Sequence, residues 1–163
     1  MARKPVIGVM GPGAGARRED LENAGLLGRL IAEAGWVLLS GGRAEGVMGA
    51  VNRGAAAAGG LTVGVIPSGD PDDAAPEVAI AIATGLGSAR NNVNVLSSDV
   101  VIACGIGLGT ASEIALALKA GRPVVMLGCG DLATALFDDL APSWITAVDT
   151  PEQAVDAARG RLV

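Results

Sequence analysis

Residues Asp99–Glu113 read DVVIACGIGLGTASE. An apolar run, Val100–Cys104, meets three glycines at alternate positions, Gly105, Gly107 and Gly109. Thr110 follows, and Glu113 comes one helical turn later. This order predicts a buried strand, a tight glycine loop and the start of a helix. Such a junction aims unpaired backbone N–H groups and the positive end of a helix dipole at one point, which suits an anion.

The same alternation extends outward in both directions. Strands are expected at Pro5–Met10, Trp36–Ser40, Leu61–Ile66, Val78–Thr84 and Pro123–Leu127, with a short one near Ile145–Val148. Between them, helices are expected near Arg18–Ala34, Gly46–Ala58, after Gly85–Ser88, over Thr110–Lys119, near Leu132–Leu140 and from Thr150. Gly35 reads as the residue that ends the first helix, and Thr150-Pro151 as a hydroxyl N-cap followed by proline at the first helical position. Residues Pro67–Glu77 (PSGDPDDAAPE) form an acidic, turn-rich crossover or a lid over a ligand. Strands alternating with helices give an α/β, Rossmann-like, doubly wound domain over residues 1–163, a mainly parallel sheet with helices on both faces. The expected strand order is 3-2-1-4-5-6, with ligands at the carboxyl ends of the strands.

Composition narrows the chemistry. Hydrophobic residues make up 50% of the chain but aromatics only 2%, so the core must be built from Val, Ile, Leu and Ala. A net charge of −5 argues against a general nucleic-acid-binding face. The absence of histidine removes a Ser-His-Asp triad, a histidine-based zinc site and an imidazole general base together; no metal site is expected. Cys104 and Cys129 lie in apolar or glycine-rich surroundings and read as buried structural thiols. The N-terminus has no apolar signal core, and no apolar run approaches the ~20 residues that span a bilayer. A cytoplasmic protein without membrane contact is expected.

Four loops carry the candidate ligand-binding residues. Gly11 and Gly13 follow the first strand, but Ala16 stands where a dinucleotide fingerprint needs glycine, so a structural turn and a phosphate loop fit equally well. Gly41, Gly42 and Arg43 follow the second strand, where close backbone approach and a guanidinium would suit an anionic group. Ser88, Arg90 and Asn91 follow the fourth, with Asn92 and Asn94 behind. A cation in a first helical turn opposes the dipole, so Arg90 reads either as an anion ligand or as half of a surface salt bridge. The fifth-strand loop supplies Gly105, Gly107, Gly109 and Thr110 as a phosphate-binding loop. Glu113 is out of place beside an anion: it either accepts from hydroxyls or ring N–H groups, serves as a general base, or caps Thr110. The expected ligand is a small anion.

Three segments, GGRAEGVMGAVNRGA, TGLGSARNNVNVLSSD and GIGLGTASEIALALKAGRPVV, resemble the signatures of a Rossmann-like superfamily. It includes the Lonely Guy cytokinin-activating phosphoribohydrolases, long misannotated as lysine decarboxylases, and is related to the DprA DNA-processing proteins. Lys4–Gly13 (KPVIGVMGPG), Gly35–Arg43 (GWVLLSGGR), Ala115–Val125 (ALALKAGRPVV) and the GLGSAR before Asn91 are more similar still to the molybdenum cofactor carrier proteins. That resemblance implies a non-enzymatic protein that binds and protects molybdenum cofactor as cargo and assembles as a homo-oligomer, dimer or tetramer. The Gly46–Ala58 and Thr110–Lys119 helices are the expected subunit contacts. The alternative is a phosphoribohydrolase or binding module for a nucleoside monophosphate. The hydrolase glycine-threonine-glutamate motif falls on Gly107, Gly109, Thr110 and Glu113, and the catalytic arginine on Arg90. Gly105 and Ile106 replace that motif's proline and first glycine, and Asn91 and Asn94 replace the lysine and methionine that accompany the arginine.

Overall fold

The computed structural model describes residues 3–162. Its strands are β1 (Val6–Met10), β2 (Val37–Ser40), β3 (Leu61–Ile66), β4 (Ile80–Ala83), β5 (Val100–Cys104), β6 (Val124–Leu127) and β7 (Ile145–Val148). The helices are α1 (Arg18–Glu33), α2 (Gly46–Ala57), α3 (Arg90–Leu96), α4 (Leu108–Lys119), α5 (Asp131–Leu140) and α6 (Pro151–Arg161). All seven strands are parallel, in the order β4-β3-β2-β1-β5-β6-β7.

That order corrects the expected 3-2-1-4-5-6. The Ile80–Ala83 strand does not sit beside β1 but pairs with β3 at the sheet edge, from Val63↔Ile80 to Ile66↔Ala83. Residues 67–79 hold only a short 3₁₀ turn, Pro71–Asp73. Without a helix to carry the chain back over the sheet, β4 stays next to β3, and Ile80 and Ile82 remain 47% and 42% exposed. The return over the sheet is made one element later, by α3. Setting β4 aside, the other six strands follow the expected pattern.

Alternation along the central strand builds the two layers. On β5, Val100, Ile102 and Cys104 join a core with residues of α1, α2 and α6. Val101 and Ala103 point the other way, into a core that includes Val95, Ile114 and Phe137 of α3, α4 and α5. Every residue of β5 is fully buried, as a central strand covered on both faces must be.

The helix ends are fixed chemically. At Gly35 (φ +75°) the chain leaves α1 with Gly35 N–H donating to the Ala32 carbonyl and Trp36 N–H to that of Ile31, at 2.9 and 3.2 Å. Thr150 Oγ1 accepts from Gln153 N–H at 3.2 Å, as its N-cap role requires. Asp20, 2% exposed, accepts from Arg17 N–H at 2.9 Å and from Arg17 Nη2 at 2.7 Å. Burial opposes its ionisation, but these bonds outweigh it and hold the carboxyl below the usual range. Among the described residues, no helix is long and apolar enough to cross a membrane.

Candidate functional site

The carboxyl ends of β1, β2 and β5 and the chain after β4 converge on a cavity of about 400 Å³. From the sequence-predicted set, Gly11, Gly13, Gly41, Arg90, Asn91, Gly107, Gly109, Thr110 and Glu113 line it. The reversal of strand order lies between β1 and β5, so the cavity occupies the crevice where open parallel sheets bind ligands.

The lower wall is the start of α4. Its N-cap is Gly107, which offers no side-chain oxygen, and the helix begins at Leu108, two residues before the expected start. The N–H groups of Leu108, Gly109 and Thr110 therefore have no intrahelical acceptor and no capping side chain. Thr110 sits at the third helical position, so of the three roles open to Glu113 the cap on Thr110 does not form. Its Oγ1 is instead buried without a hydrogen-bond partner.

Arg90 opens α3 and lies across β2, where Gly41 leaves room: a Cβ at Gly41 would strike the Arg90 guanidinium and Met48 Sδ. The guanidinium is half-buried, and no carboxylate lies within ion-pair distance among the described residues. Burial lowers its pKa, the nearby Glu113 works against that, and Arg43 adds to it. The surface salt bridge considered for Arg90 is thus absent among the described residues. A guanidinium remains charged even so.

Glu113 is 7% exposed, and its Oε1 accepts from Asn94 Nδ2 at 3.0 Å. Burial raises its pKa against the opposing effects of Asn94 and Arg90. Asn94 Oδ1 is buried without a partner. Asn91 leans the other way, donating from Nδ2 to Ser112 Oγ at 3.0 Å. The cavity therefore joins a region rich in donors and positive charge, at Arg90 and the α4 amides, to a buried group of acceptors at Glu113 and Thr110. The first can hold an oxyanion, and the second can accept from ring N–H or hydroxyl groups.

Because the folded pKa of Glu113 lies above its unfolded value, the folded state holds this proton more tightly. Stability from this group is fully present below the unfolded carboxylate range and is lost as pH rises through the folded pKa. Glu113→Gln is therefore expected to raise the melting temperature by a few degrees at neutral pH and to flatten its fall with pH. A calorimetric scan from pH 4 to 8 checks this; a variant melting below the wild type at pH 7 contradicts it.

Four predicted residues lie off the cavity wall. Gly42 (φ +74°) packs on Gly64 and Ile66 of β3. Arg43 is exposed and lines a second cavity of about 260 Å³ with Ile66, Pro67, Ser68 and Asp73. Ser88 is exposed in the 3₁₀ turn Gly87–Ala89. Gly105 (φ +76°) turns the loop against the Asp20 carboxylate, which fills the space a Cβ would need. Cys129 Sγ supports the same turn by donating to the Gly105 carbonyl at 3.2 Å. Both cysteines are buried and free, and burial pushes their thiols up to about 12. Met10, Met48 and Leu108 line the cavity and were not legible as site residues. Met10 reads as ordinary strand core, and Leu108 shows itself only once the helix start moves back to Gly107.

The family model described as SLOG cluster4 matches residues 4–155. The molybdenum cofactor binding protein of the phototrophic bacterium Rippkaea orientalis is 52% identical, covering 100% of both chains, with a TM-score of 0.96. The Moco carrier protein of Chlamydomonas reinhardtii is 48% identical over 98% of both chains, with a TM-score of 0.93. A cytokinin riboside 5'-monophosphate phosphoribohydrolase of Mycobacterium marinum is 55% identical over 49 residues, which is 30% of this chain and 26% of that protein.

Proposed function

The chain belongs to the SLOG cluster4 family, and we propose that it binds and carries molybdenum cofactor in the cleft at the carboxyl ends of its strands. The observation that carries this reading is the half-buried Arg90 guanidinium, free of any carboxylate among the described residues and lining the same cavity as the uncapped start of α4. The whole-chain likeness to a molybdenum cofactor binding protein and to a Moco carrier protein, against a local one to a hydrolase, supports the choice of cargo.

The chemistry fits. The cofactor is a pterin with a terminal phosphate, a dithiolene and an oxidised metal centre, so it arrives anionic with its metal already held. Arg90 and the N–H groups of Leu108, Gly109 and Thr110 take its phosphate or oxometal end. Glu113 and the unpartnered Thr110 Oγ1 accept from the pterin N–H edge. Gly11, Gly13 and Gly41 let the backbone approach closely, while Gly42 and Gly105 set the shape of their loops. Arg43 extends the site from the neighbouring cavity, and Asn91 braces α3 against α4. We assign no contact to Ser88. A homo-oligomer is part of the proposal, with α5 taking the place of α2 beside α4 in its contact surface. The small-residue face of α2 is already covered by α1, whereas Leu132, Leu136 and Leu140 of α5 are 88%, 54% and 68% exposed.

Glu113 lining the same cavity as Arg90 favours one second reading, hydrolysis of a nucleoside 5'-monophosphate. Glu113 would then bind the ribose and Arg90 assist departure of the base. Two assays separate the readings. Cofactor mixed with the protein in air should keep its power to activate a cofactor-free molybdoenzyme several times longer than cofactor alone. Adenosine monophosphate and its N6-prenylated form should release no base. Steady base release that Glu113→Ala abolishes, with no gain in cofactor lifetime, establishes the hydrolase instead.

A further inference from the structure

At the opposite edge of the sheet, where the strands begin, a second cavity of about 400 Å³ is lined by Arg3, Pro5, Asp99, Arg122, Arg161 and Leu162. Arg3 precedes β1, Asp99 precedes β5, Arg122 precedes β6, and Arg161 ends α6. Four separate segments thus bring three guanidinium groups and one carboxylate together in a chain whose net charge is −5.

The carboxylate is already committed. Asp99 Oδ1 accepts from Arg3 Nη2 at 2.6 Å, and Oδ2 accepts from Arg3 Nη1 at 3.0 Å and from Val6 N–H at 2.8 Å. Burial opposes ionisation of Asp99, but these bonds and the nearby Arg122 outweigh it and keep the carboxyl below the usual range. Arg122 Nη2 donates to the Leu96 carbonyl at 3.0 Å, while its Nε is buried with no partner. Arg161 makes one long bond among the described residues, from Nη2 to Thr146 Oγ1 at 3.3 Å. Among the described residues, neither Arg122 nor Arg161 has a carboxylate within ion-pair distance. Guanidinium groups outnumber carboxylates among the described lining residues.

We propose that this cavity is a second anion site, separate from the cleft, that takes a phosphoryl dianion. The excess of guanidinium groups over carboxylates among the described lining residues favours a doubly charged anion over a single carboxylate. Planar guanidinium forks also match pairs of phosphoryl oxygens, and the exposed Arg161 keeps all but one of its donors uncommitted among the described residues. The volume admits a phosphate together with a small organic group, so inorganic phosphate and a phosphomonoester are the two sources of this chemistry.

Calorimetric titration of the full chain with inorganic phosphate and with ribose 5-phosphate, at constant ionic strength set by chloride, tests it. In Arg90→Gln, which removes the cleft guanidinium, saturable binding is expected to persist, and adding Arg161→Gln to it is expected to weaken that binding at least tenfold. Arg161 is exposed, so that variant keeps its fold; Arg122→Gln provides a second loss of the same kind. Tighter binding of the ester identifies an organic phosphate as occupant, and equal binding identifies free phosphate; both support the site. Phosphate binding no stronger than chloride overturns the proposal. So does binding that Arg90→Gln abolishes and Arg161→Gln leaves intact, because the anion then sits in the cleft. Cofactor binding by Arg161→Gln should match the wild type, so failure of this site and failure of the carrier reading are distinguishable.

Discussion

Replacing Arg90 by Gln should weaken molybdenum cofactor binding about 100-fold, the scale on which a buried cation paired with an anion is felt when it is removed. Equilibrium binding under anaerobic conditions, followed by the cofactor's absorbance, measures it. The same substitution should leave the unliganded protein at least as stable as before. Arg90 has no carboxylate partner among the described residues, and burial and Arg43 both disfavour its charge. Removing it relieves a cost that only a ligand offsets, the usual conflict between stability and binding at a functional site. Arg43→Gln, on an exposed side chain, should weaken binding less than tenfold and serves as the control. Equal effects of the two variants would show that Arg90 contributes only general positive charge. Loss of stability in Arg90→Gln would make it a structural residue.

The second large effect concerns the fold. Gly28 lies mid-way along α1, where alanine would ordinarily favour the helix by about 1 kcal/mol. Here the sign reverses. A Cβ at Gly28 would run into the Val51 carbonyl oxygen and the Ala55 amide of α2, and backbone cannot swing aside as a flexible side chain can. Gly54 meets the Gly25 carbonyl in the same seam. Gly28→Ala is therefore expected to destabilise by about 2–3 kcal/mol through overpacking, which lowers the melting temperature by roughly 5–10 °C in a domain of this size. Gly160→Ala, in α6 with open space around it, should stabilise by up to about 1 kcal/mol. If both alanines stabilise, the α1–α2 approach is looser than the structure places it.

These two residues mark where sequence reading succeeds and stops. Arg90 was legible because a cation at a helix start conflicts with a local rule, and the conflict pointed to a ligand. Gly28 was not, because nothing in its neighbours along the chain says what packs above it. The start of α4 was misread for a related reason. Thr110 followed by Glu113 looks like a capping pair, but Gly107 takes the N-cap. Both side chains then fall inside the fold, Glu113 against Asn94 and Thr110 with no partner. The place of Ile80–Ala83 could not be read either. Its alternating apolar residues identify a strand, and only the missing crossover helix sends it to the edge.

What the chain determines by itself is the alternation of strand and helix, the parallel doubly wound class and the glycine junction at residues 99–113. Each rests on short-range periodicity and turn chemistry, which neighbouring residues fully specify. Tertiary structure alone decided that nine of the candidate residues share one cavity and that Glu113 lies buried there with Arg90 beyond ion-pair distance. It also decided that three arginines meet at the far edge around a carboxylate already holding three hydrogen bonds. Those outcomes depend on which segments, distant along the chain, the sheet brings side by side, and on how much water and charge the packing leaves between them.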